Sequence, residues 1–221
     1  MRIDFWNIKA TAPWVMPYLS YMAMMLIFAA CGGEEGVELP IYGRRNLDDN
    51  GDTVYHTIGD FSLTNQNGET ITEEDFLGKV YVSDFFFTNC PSICPATTGQ
   101  KLRIYERFQD NPDFLLLSHT VDPKRDSVGT LKEFAENLGV ESTTWHFATG
   151  EQEYLYNLGL KSYLLPAQED PEAPGGYLHG DKFMLIDRKG RIRGAYSGTN
   201  KAKVDQLMED AEKLLNQKPQ E

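Results

Sequence analysis

The sequence predicts an α/β protein, a sandwich in which helices cover a central mixed β-sheet. Apolar and aromatic residues form dense runs at 79–87, 114–121 and 182–187, which is typical of strands buried on both faces. Stretches with helical spacing follow the first two runs and occur again after residue 200. This alternation favours strands joined by helical crossovers into one sheet.

The first thirty residues differ in character from the rest of the chain. Two basic residues precede an apolar stretch without charge from Trp14 to Ala30. Basic residues, an apolar stretch and small residues before a cleavage point are typical of a secretory signal peptide. Cys31 follows Phe28-Ala29-Ala30 directly, which resembles a bacterial lipobox whose Cys becomes the lipidated N-terminus. We therefore predict a signal peptide over 1–30 and a lipid anchor at Cys31.

The alternative to a cleaved signal peptide is an uncleaved membrane anchor, since the apolar stretch is just long enough to span a bilayer. Both interpretations place the rest of the chain in the cell envelope, outside the cytoplasm. Residues 31–52 are rich in Gly, Asp and Glu, which predicts a flexible tether. A single domain with an ordinary core is then expected over 53–221.

The chain is strongly acidic, with a formal net charge of −12 over 221 residues. Nucleic acids and anionic lipid surfaces need Lys and Arg partners, so this charge argues against both as ligands. The acidic residues are spread along the chain, as on a solvated surface.

The predicted elements of the domain begin with a hairpin over 53–61 and 63–71, which turns at Asn67-Gly68. The strand at 79–87 and a helix from Thr98 follow, the helix predicted by the spacing of Leu102, Tyr105 and Phe108. After the strand at 114–121, helical spacing from Val128 to Leu138 ends at Gly139, a common C-terminal signal. The remaining predicted elements are a short strand at 145–148, a short helix at 151–158, a long loop at 161–179, a hairpin of 182–187 with 192–196, and a closing helix over 204–215.

The order strand, helix, strand, helix, hairpin, helix is that of the thioredoxin-like fold. We therefore expect a thioredoxin-like sandwich with an N-terminal hairpin extension and a strand and helix inserted at 145–158. The long loop at 161–179 contains several Pro and Gly residues, and loops of this length are usually functional or mobile.

Cys90 and Cys94 are the two cysteines that remain if Cys31 is lipidated. They lie between the most apolar strand and a predicted helix. Backbone N–H groups at a helix start favour a thiolate, and residues i and i+4 share one face of a helical turn. In an oxidising compartment such a pair can be a structural disulfide, a redox couple or a soft-metal site.

His179 is the candidate third ligand of a metal site. It precedes the predicted strand at 182–187, in the loop that lies against the Cys motif in thioredoxin-like folds. Oxidoreductases of this fold place a cis-proline there, whereas this sequence has no proline from Gly176 to Asp187. Two thiolates and an imidazole suit Cu(I) and also Cu(II). The alternative is a solvated histidine in a loop.

Three motifs together resemble the Sco/SenC family of copper chaperones. Residues 85–95 are FFFTNCPSICP, residues 120–126 are TVDPKRD, and His179 is followed by MLID at 184–187. The resemblance extends from about Phe61 to the C-terminus.

The resemblance implies a copper-binding protein whose ligands match Cys90, Cys94 and His179, and we expect one Cu(I) or Cu(II) ion per chain. It also implies a role in building the binuclear copper centre of cytochrome c oxidase, with the copper-bearing subunit or another copper-handling protein as partner. Some family members are more similar to thiol-disulfide reductases, so a redox role for the two cysteines stays open. A scaffold lipoprotein with a structural disulfide is the third hypothesis.

Asp84 supports the redox hypothesis, because it lies six residues before Cys90 in the apolar strand. Thioredoxins carry a buried Asp there that shuttles protons to their cysteines. A buried carboxyl has a raised pKa and can act as a general acid or base. The alternative is an Asp at the strand end that reaches solvent.

Other polar residues are predicted to have structural roles. His119 and His146 are each expected to be a hydrogen-bonded histidine of the core or a neighbour of the site, and His56 is assigned no role. The loop after the strand at 114–121 is expected to be held by Asp122, Pro123, Arg125 and Asp126, with Asp126 or Ser127 capping the next helix.

Overall fold

The computed structural model describes residues 38–90 and 94–217, with Cys94 described by its backbone. The elements in chain order are β1 (Arg45–Leu47), β2 (Thr53–Tyr55), β3 (Ser62–Asn65), β4 (Thr70–Thr72), β5 (Val80–Phe86), α1 (Cys94–Phe108), β6 (Phe114–Thr120), α2 (Val128–Leu138), β7 (Trp145–Thr149), α3 (Gln152–Lys161), β8 (Ala167–Glu169), β9 (Tyr177–His179), β10 (Lys182–Ile186), β11 (Ile192–Ser197) and α4 (Lys201–Asn216).

A mixed sheet forms the centre of the described part of the chain, with the strand order β11-β10-β5-β6-β7-β3-β4. β5, β6 and β7 are parallel neighbours, whereas β10 and β3 pair antiparallel at the two sides of this trio. Every residue of β5 and β6 is buried, as their continuous apolar sequence predicted. The predicted thioredoxin-like α/β class is thus confirmed.

The ends of α2 follow the local signals in the sequence. Ser127 is the N-cap, and its side chain accepts a hydrogen bond from the Thr130 N–H at 3.3 Å. Gly139 ends the helix in the left-handed conformation at φ 68°, which a residue without a Cβ adopts readily. Asp126, the other candidate cap, is fully buried and faces inward.

The N-terminal part of the domain differs from the predicted hairpin. Asn67-Gly68 does form a turn, but it joins β3 to β4, with Gly68 at φ 80°. Residues 53–55 pair instead with residues 45–47. A short β1–β2 ribbon therefore precedes the hairpin.

Residues 38–52, assigned to the tether by composition, are hydrogen-bonded to the domain. The Arg193 guanidinium is 2% exposed and donates to the carbonyl oxygens of Leu39 at 2.5 Å and Pro40 at 3.1 Å. A buried guanidinium needs acceptors, and this stretch of backbone supplies two of them. Composition alone did not show this contact.

The predicted loop at 161–179 contains a second two-stranded sheet. β8 pairs antiparallel with β9, with Ala167 opposite His179 and Glu169 opposite Tyr177. His179 is therefore the last residue of a strand rather than part of an irregular loop. Pairing fixes its backbone because each strand satisfies the hydrogen-bonding groups of the other.

None of the helices within residues 38–90 and 94–217 has the length and apolar character needed to cross a membrane. The predicted signal peptide at 1–30 and the predicted lipidation site Cys31 lie outside the described residues.

Candidate metal centre

Cys90 lies just beyond the central strand β5, in the loop that leads to α1. The chain turns at Thr88-Asn89 and places Cys90 with 8% of its surface exposed. α1 begins at Cys94, so Cys90 precedes the helix. The expectation that the two sulfurs converge on one ion stays a prediction, because it also depends on residues 91–93 and on the Cys94 side chain. Residues 91–93 and the Cys94 side chain lie outside the described residues.

His179 is brought to Cys90 by the β8–β9 hairpin. Its Nε2 lies 3.9 Å from the Cys90 Sγ, and its ring packs edge-on against Phe87 with the ring centroids 5.4 Å apart. The other ring nitrogen, Nδ1, lies 3.3 Å from the carbonyl oxygen of Gly180. A proton on Nδ1 would be donated to that oxygen, which leaves the Nε2 lone pair facing the sulfur.

The 3.9 Å separation of the Cys90 Sγ and the His179 Nε2 is close to that of two ligands of one metal ion. Metal–sulfur and metal–nitrogen bonds of about 2.3 and 2.0 Å at ordinary angles place the two donor atoms about 3.5 to 3.8 Å apart. Within the part of the chain that the structure describes, no group of three His, Cys, Asp or Glu side chains could hold a metal ion. The structure thus shows two of the three predicted donors together.

Asp84 is buried, with 5% of its surface exposed, so the alternative of a solvent-facing strand end is wrong. Its carboxylate receives a hydrogen bond from the Lys101 ammonium at 2.7 Å and another from the Ser118 hydroxyl at 2.5 Å. Trp145 Nε1 donates to the Ser118 oxygen at 3.0 Å. Asp84 is therefore part of a buried network that includes a charged partner.

Lys101 is the functional-site neighbour that the sequence reasoning missed. Its side chain is 1% exposed, and its ammonium lies over the rings of Phe86 at 4.8 Å and Trp145 at 5.4 Å. The signal that could have revealed it is helical spacing, because Lys101 occupies a buried stripe of α1 with Thr97, Ile104 and Phe108. A lysine in such a stripe needs a buried anion.

His119 is a core histidine, as predicted. It is fully buried, its ring stacks on Phe85 with centroids 4.8 Å apart, and its Nδ1 lies 3.2 Å from both the Ser83 hydroxyl and the Asp84 carbonyl oxygen. Among the described residues its Nε2 has no hydrogen-bond partner. Burial, only partly opposed by Asp84, lowers the pKa of His119 to about 4.

We expect acid to destabilise the protein through His119. Its folded pKa is about 4 and its ordinary value 6.5, so the unfolded chain binds the proton first. The neutral His119 contributes its full stabilisation above pH 6.5. As the pH falls towards 4 this contribution is lost, and the free energy of unfolding decreases by up to about 3 kcal/mol. The free energy of unfolding, measured with urea between these pH values, should fall less steeply with decreasing pH in His119→Gln than in the parent protein.

His146 provides the comparison for that measurement, since burial lowers its pKa as well. Its ring packs edge-on against Phe76, and His146→Gln should remove a smaller part of the same pH dependence. An identical pH profile for His119→Gln and the parent protein would contradict the expectation.

The comparison with known proteins decides the family. The SCO1/SenC family model matches residues 50–216, which is more than half of the chain. The chain belongs to the SCO1/SenC family. The Sco/SenC resemblance seen in the sequence is thereby confirmed.

Sco relatives match over most of their own lengths. The SCO1 protein homolog of Bacillus subtilis strain 168 is 28% identical over 189 residues, covering 85% of this chain and 90% of the relative. The crystal structure of a SCO1/SenC family lipoprotein from Bacillus anthracis has a TM-score of 0.67 at 28% identity, covering 73% of this chain and 96% of its own. A structure of BsSco, a member of the Sco family of cytochrome c oxidase assembly proteins with a disulfide switch, has a TM-score of 0.65 at 29% identity and covers 74% and 95% of the two chains.

Two further matches have names that mention copper. A protein of Stutzerimonas stutzeri, provisionally named a copper-binding protein, is 29% identical over 141 residues, covering 62% of this chain and 67% of its own. The crystal structure of Arabidopsis thaliana ScoI with copper bound has a TM-score of 0.60 at 24% identity, covering 72% and 98% of the two chains. The latter likeness shows the shared fold.

Proposed function

We propose that this protein carries copper on Cys90, Cys94 and His179 and delivers it to the binuclear copper centre of cytochrome c oxidase. The observation that carries the proposal is the approach of the Cys90 Sγ and the His179 Nε2 to 3.9 Å. Membership of the SCO1/SenC family supports it. So do the description of the Sco family as cytochrome c oxidase assembly proteins and the name of the relative from Stutzerimonas stutzeri.

The chemistry of the donors suits a copper cargo. Thiolates favour Cu(I), and the imidazole adds the nitrogen donor that Cu(II) prefers. We propose one copper ion per chain, with Cys94 at the start of α1 supplying the second thiolate. His179 is only half-buried, so a partner such as the copper-bearing oxidase subunit could reach the ion from the side of β9.

We expect His179→Ala to weaken Cu(II) binding by more than about tenfold and Cu(I) binding much less. The variant keeps two thiolates, which still hold Cu(I), but loses the nitrogen donor that Cu(II) prefers. Paired titrations with both oxidation states would measure this difference. Oxidase activity in a deletion strain complemented with the variant should be abolished.

A matched control for His179 is His146→Gln, which changes a histidine that packs against Phe76. It should bind Cu(I) and Cu(II) as the parent protein does. Parental Cu(II) affinity in His179→Ala, together with normal oxidase assembly, would reject the copper-delivery proposal.

A second candidate function is thiol-disulfide exchange by Cys90 and Cys94, which would keep the cysteines of an apo-oxidase or another envelope protein reduced. The buried carboxyl of Asp84 favours this candidate, as does the disulfide switch identified in BsSco. In that role we propose Asp84 as the proton carrier, with Lys101 and Ser118 as its partners. Thiol exchange should then slow in Asp84→Asn and remain nearly intact in His179→Ala.

We propose that Cys31 anchors the protein to a membrane of the cell envelope through a lipid. The lipobox-like sequence supports this, and the Bacillus anthracis relative is named a lipoprotein. Cys31→Ser should prevent incorporation of labelled fatty acid, measured after immunoprecipitation from whole cells. Equal labelling of the variant and the parent protein would reject lipidation at Cys31.

A further inference from the structure

Two buried carboxylates, Asp122 and Asp126, lie in the loop that follows β6. Their exposed fractions are 1% and 0%, although carboxylates are almost never fully buried without partners. Hydrogen bonds and opposite charges are what offset such burial. The hydrogen-bond partners of these two carboxylates lie in the two halves of the candidate metal centre, which are the turn that carries Cys90 and the strand β9 that carries His179.

Asp126 holds the segment that carries Cys90. Its carboxylate accepts hydrogen bonds from the Thr88 N–H at 3.1 Å and the Thr88 hydroxyl at 2.5 Å. The Thr120 hydroxyl donates to the same carboxylate at 2.5 Å and links it to the end of β6. Thr88 lies two residues before Cys90, so Asp126 fixes the turn from which Cys90 projects.

Asp122 holds the strand that carries His179. Its carboxylate accepts a hydrogen bond from the Tyr177 hydroxyl at 2.8 Å and another from Arg125 Nε. Arg125 also lies 5.4 Å from the Tyr177 ring and donates to the Gly175 carbonyl oxygen at 3.2 Å. Tyr177 lies two residues before His179 in β9.

Phe87 packs between these two halves. Its buried ring lies 5.4 Å from the Tyr177 ring and 5.4 Å from the His179 ring, measured between centroids. The strand that holds His179 thus contacts Phe87, the residue that precedes the Cys90 turn. Aromatic contacts of this kind limit sliding of the strand, while the Asp122 bond sets its position.

We propose that the loop Asp122–Asp126 positions the two halves of the copper site relative to each other. Asp126 sets the Cys90 turn, and Asp122 sets β9 through Tyr177 and Arg125. The positioning residues do not bind the ion themselves. The consequence for copper rests on the proposed function, whereas the distance between Cys90 and His179 is a property of the metal-free protein.

The metal-free test measures the distance through thiol cross-linking. The full chain carries Cys31→Ser, Cys94→Ser and His179→Cys, which leaves one thiol on each half of the site. Dibromobimane, a short reagent that becomes fluorescent when it joins two thiols, reports their proximity. Adding Tyr177→Phe removes the bond to Asp122 and should slow intramolecular cross-linking about tenfold.

Tyr196→Phe is the matched control in the same background. Tyr196 donates to Asp210 at 2.8 Å in a similarly buried setting, so the two variants lose the same kind of bond and a similar few degrees of melting temperature. Tyr196→Phe should leave the cross-linking rate unchanged. Asp122→Asn, which keeps an acceptor for Tyr177, should preserve most of the rate, and Asp122→Ala should slow it as Tyr177→Phe does.

The second readout uses the chain with its native ligands. Tyr177→Phe should weaken Cu(II) binding several-fold and shift the sulfur-to-copper absorption band, and Tyr196→Phe should do neither. Equal cross-linking rates in Tyr177→Phe and Tyr196→Phe would overturn the proposed positioning. Slower cross-linking in Tyr177→Phe, with no copper bound even by the parent protein, would support the positioning and reject the copper function.

Discussion

Cys90→Ser is expected to abolish stoichiometric copper binding by the reduced protein. The Cys90 Sγ faces the His179 Nε2, and a serine hydroxyl is a poor ligand for copper, which prefers sulfur and nitrogen. Metal analysis should fall from one copper ion per chain to none. The sulfur-to-metal absorption band of the Cu(II) form should disappear as well. Cys94→Ser should give the same result.

Two comparisons separate the site from a general effect of losing a thiol. Cys31→Ser removes the third cysteine of the sequence and should leave the copper content unchanged. Oxidation of Cys90 and Cys94 to a disulfide consumes both thiolates, so the oxidised protein should not hold copper. Unchanged copper stoichiometry in Cys90→Ser, or tight binding by the oxidised protein, would contradict the assigned ligands.

Lys101→Met is expected to lower the free energy of unfolding by about 3 to 5 kcal/mol. The methionine side chain fills a similar space, but Asp84 loses the ammonium that lies 2.7 Å from its carboxylate. The carboxylate then stays buried with the Ser118 hydroxyl as its remaining described donor. Chemical denaturation would measure the loss, and the melting temperature should fall by on the order of 10 °C.

The surface pair Lys201–Asp205 gives the matched control. Its N–O distance is 2.8 Å, against 2.7 Å in the buried pair, but its side chains are 68% and 38% exposed. Lys201→Met should therefore change the free energy of unfolding by no more than about 0.5 kcal/mol. The double variant Asp84→Asn with Lys101→Met should recover much of the stability. Equal effects of Lys101→Met and Lys201→Met would show that the buried pair contributes little.

Local patterns in the sequence were sufficient for most of the fold. β5 and β6 could be predicted because both faces of each strand are buried, which requires uninterrupted apolar residues. The turn at Asn67-Gly68 and the helix end at Gly139 could be predicted because both depend on a backbone conformation that glycine adopts readily. Such features depend on neighbours along the chain.

The candidate ligands could be proposed for a related reason. Cys90 and Cys94 are close in sequence, and the thioredoxin-like order of elements predicted that the segment before β10 faces them. The approach of His179 to Cys90 agrees with that expectation. The β8–β9 pairing that holds His179 was not predicted, because strands of three residues carry too little periodicity to distinguish them from a loop.

Only the tertiary structure decided which buried charges meet. Lys101 reaches Asp84 because the α1 crossover lays one helix face on β5, and Asp122 accepts a hydrogen bond from Tyr177, which is 55 residues away in the chain. The spacing of residues in the sequence does not indicate such pairs, because the tertiary fold determines which distant residues come into contact. Burial makes their pairing obligatory, because an isolated charge in the interior is costly. The sequence by itself thus determined the central strands β5 and β6 and the candidate ligands, and the packing of distant segments determined what holds those ligands in place.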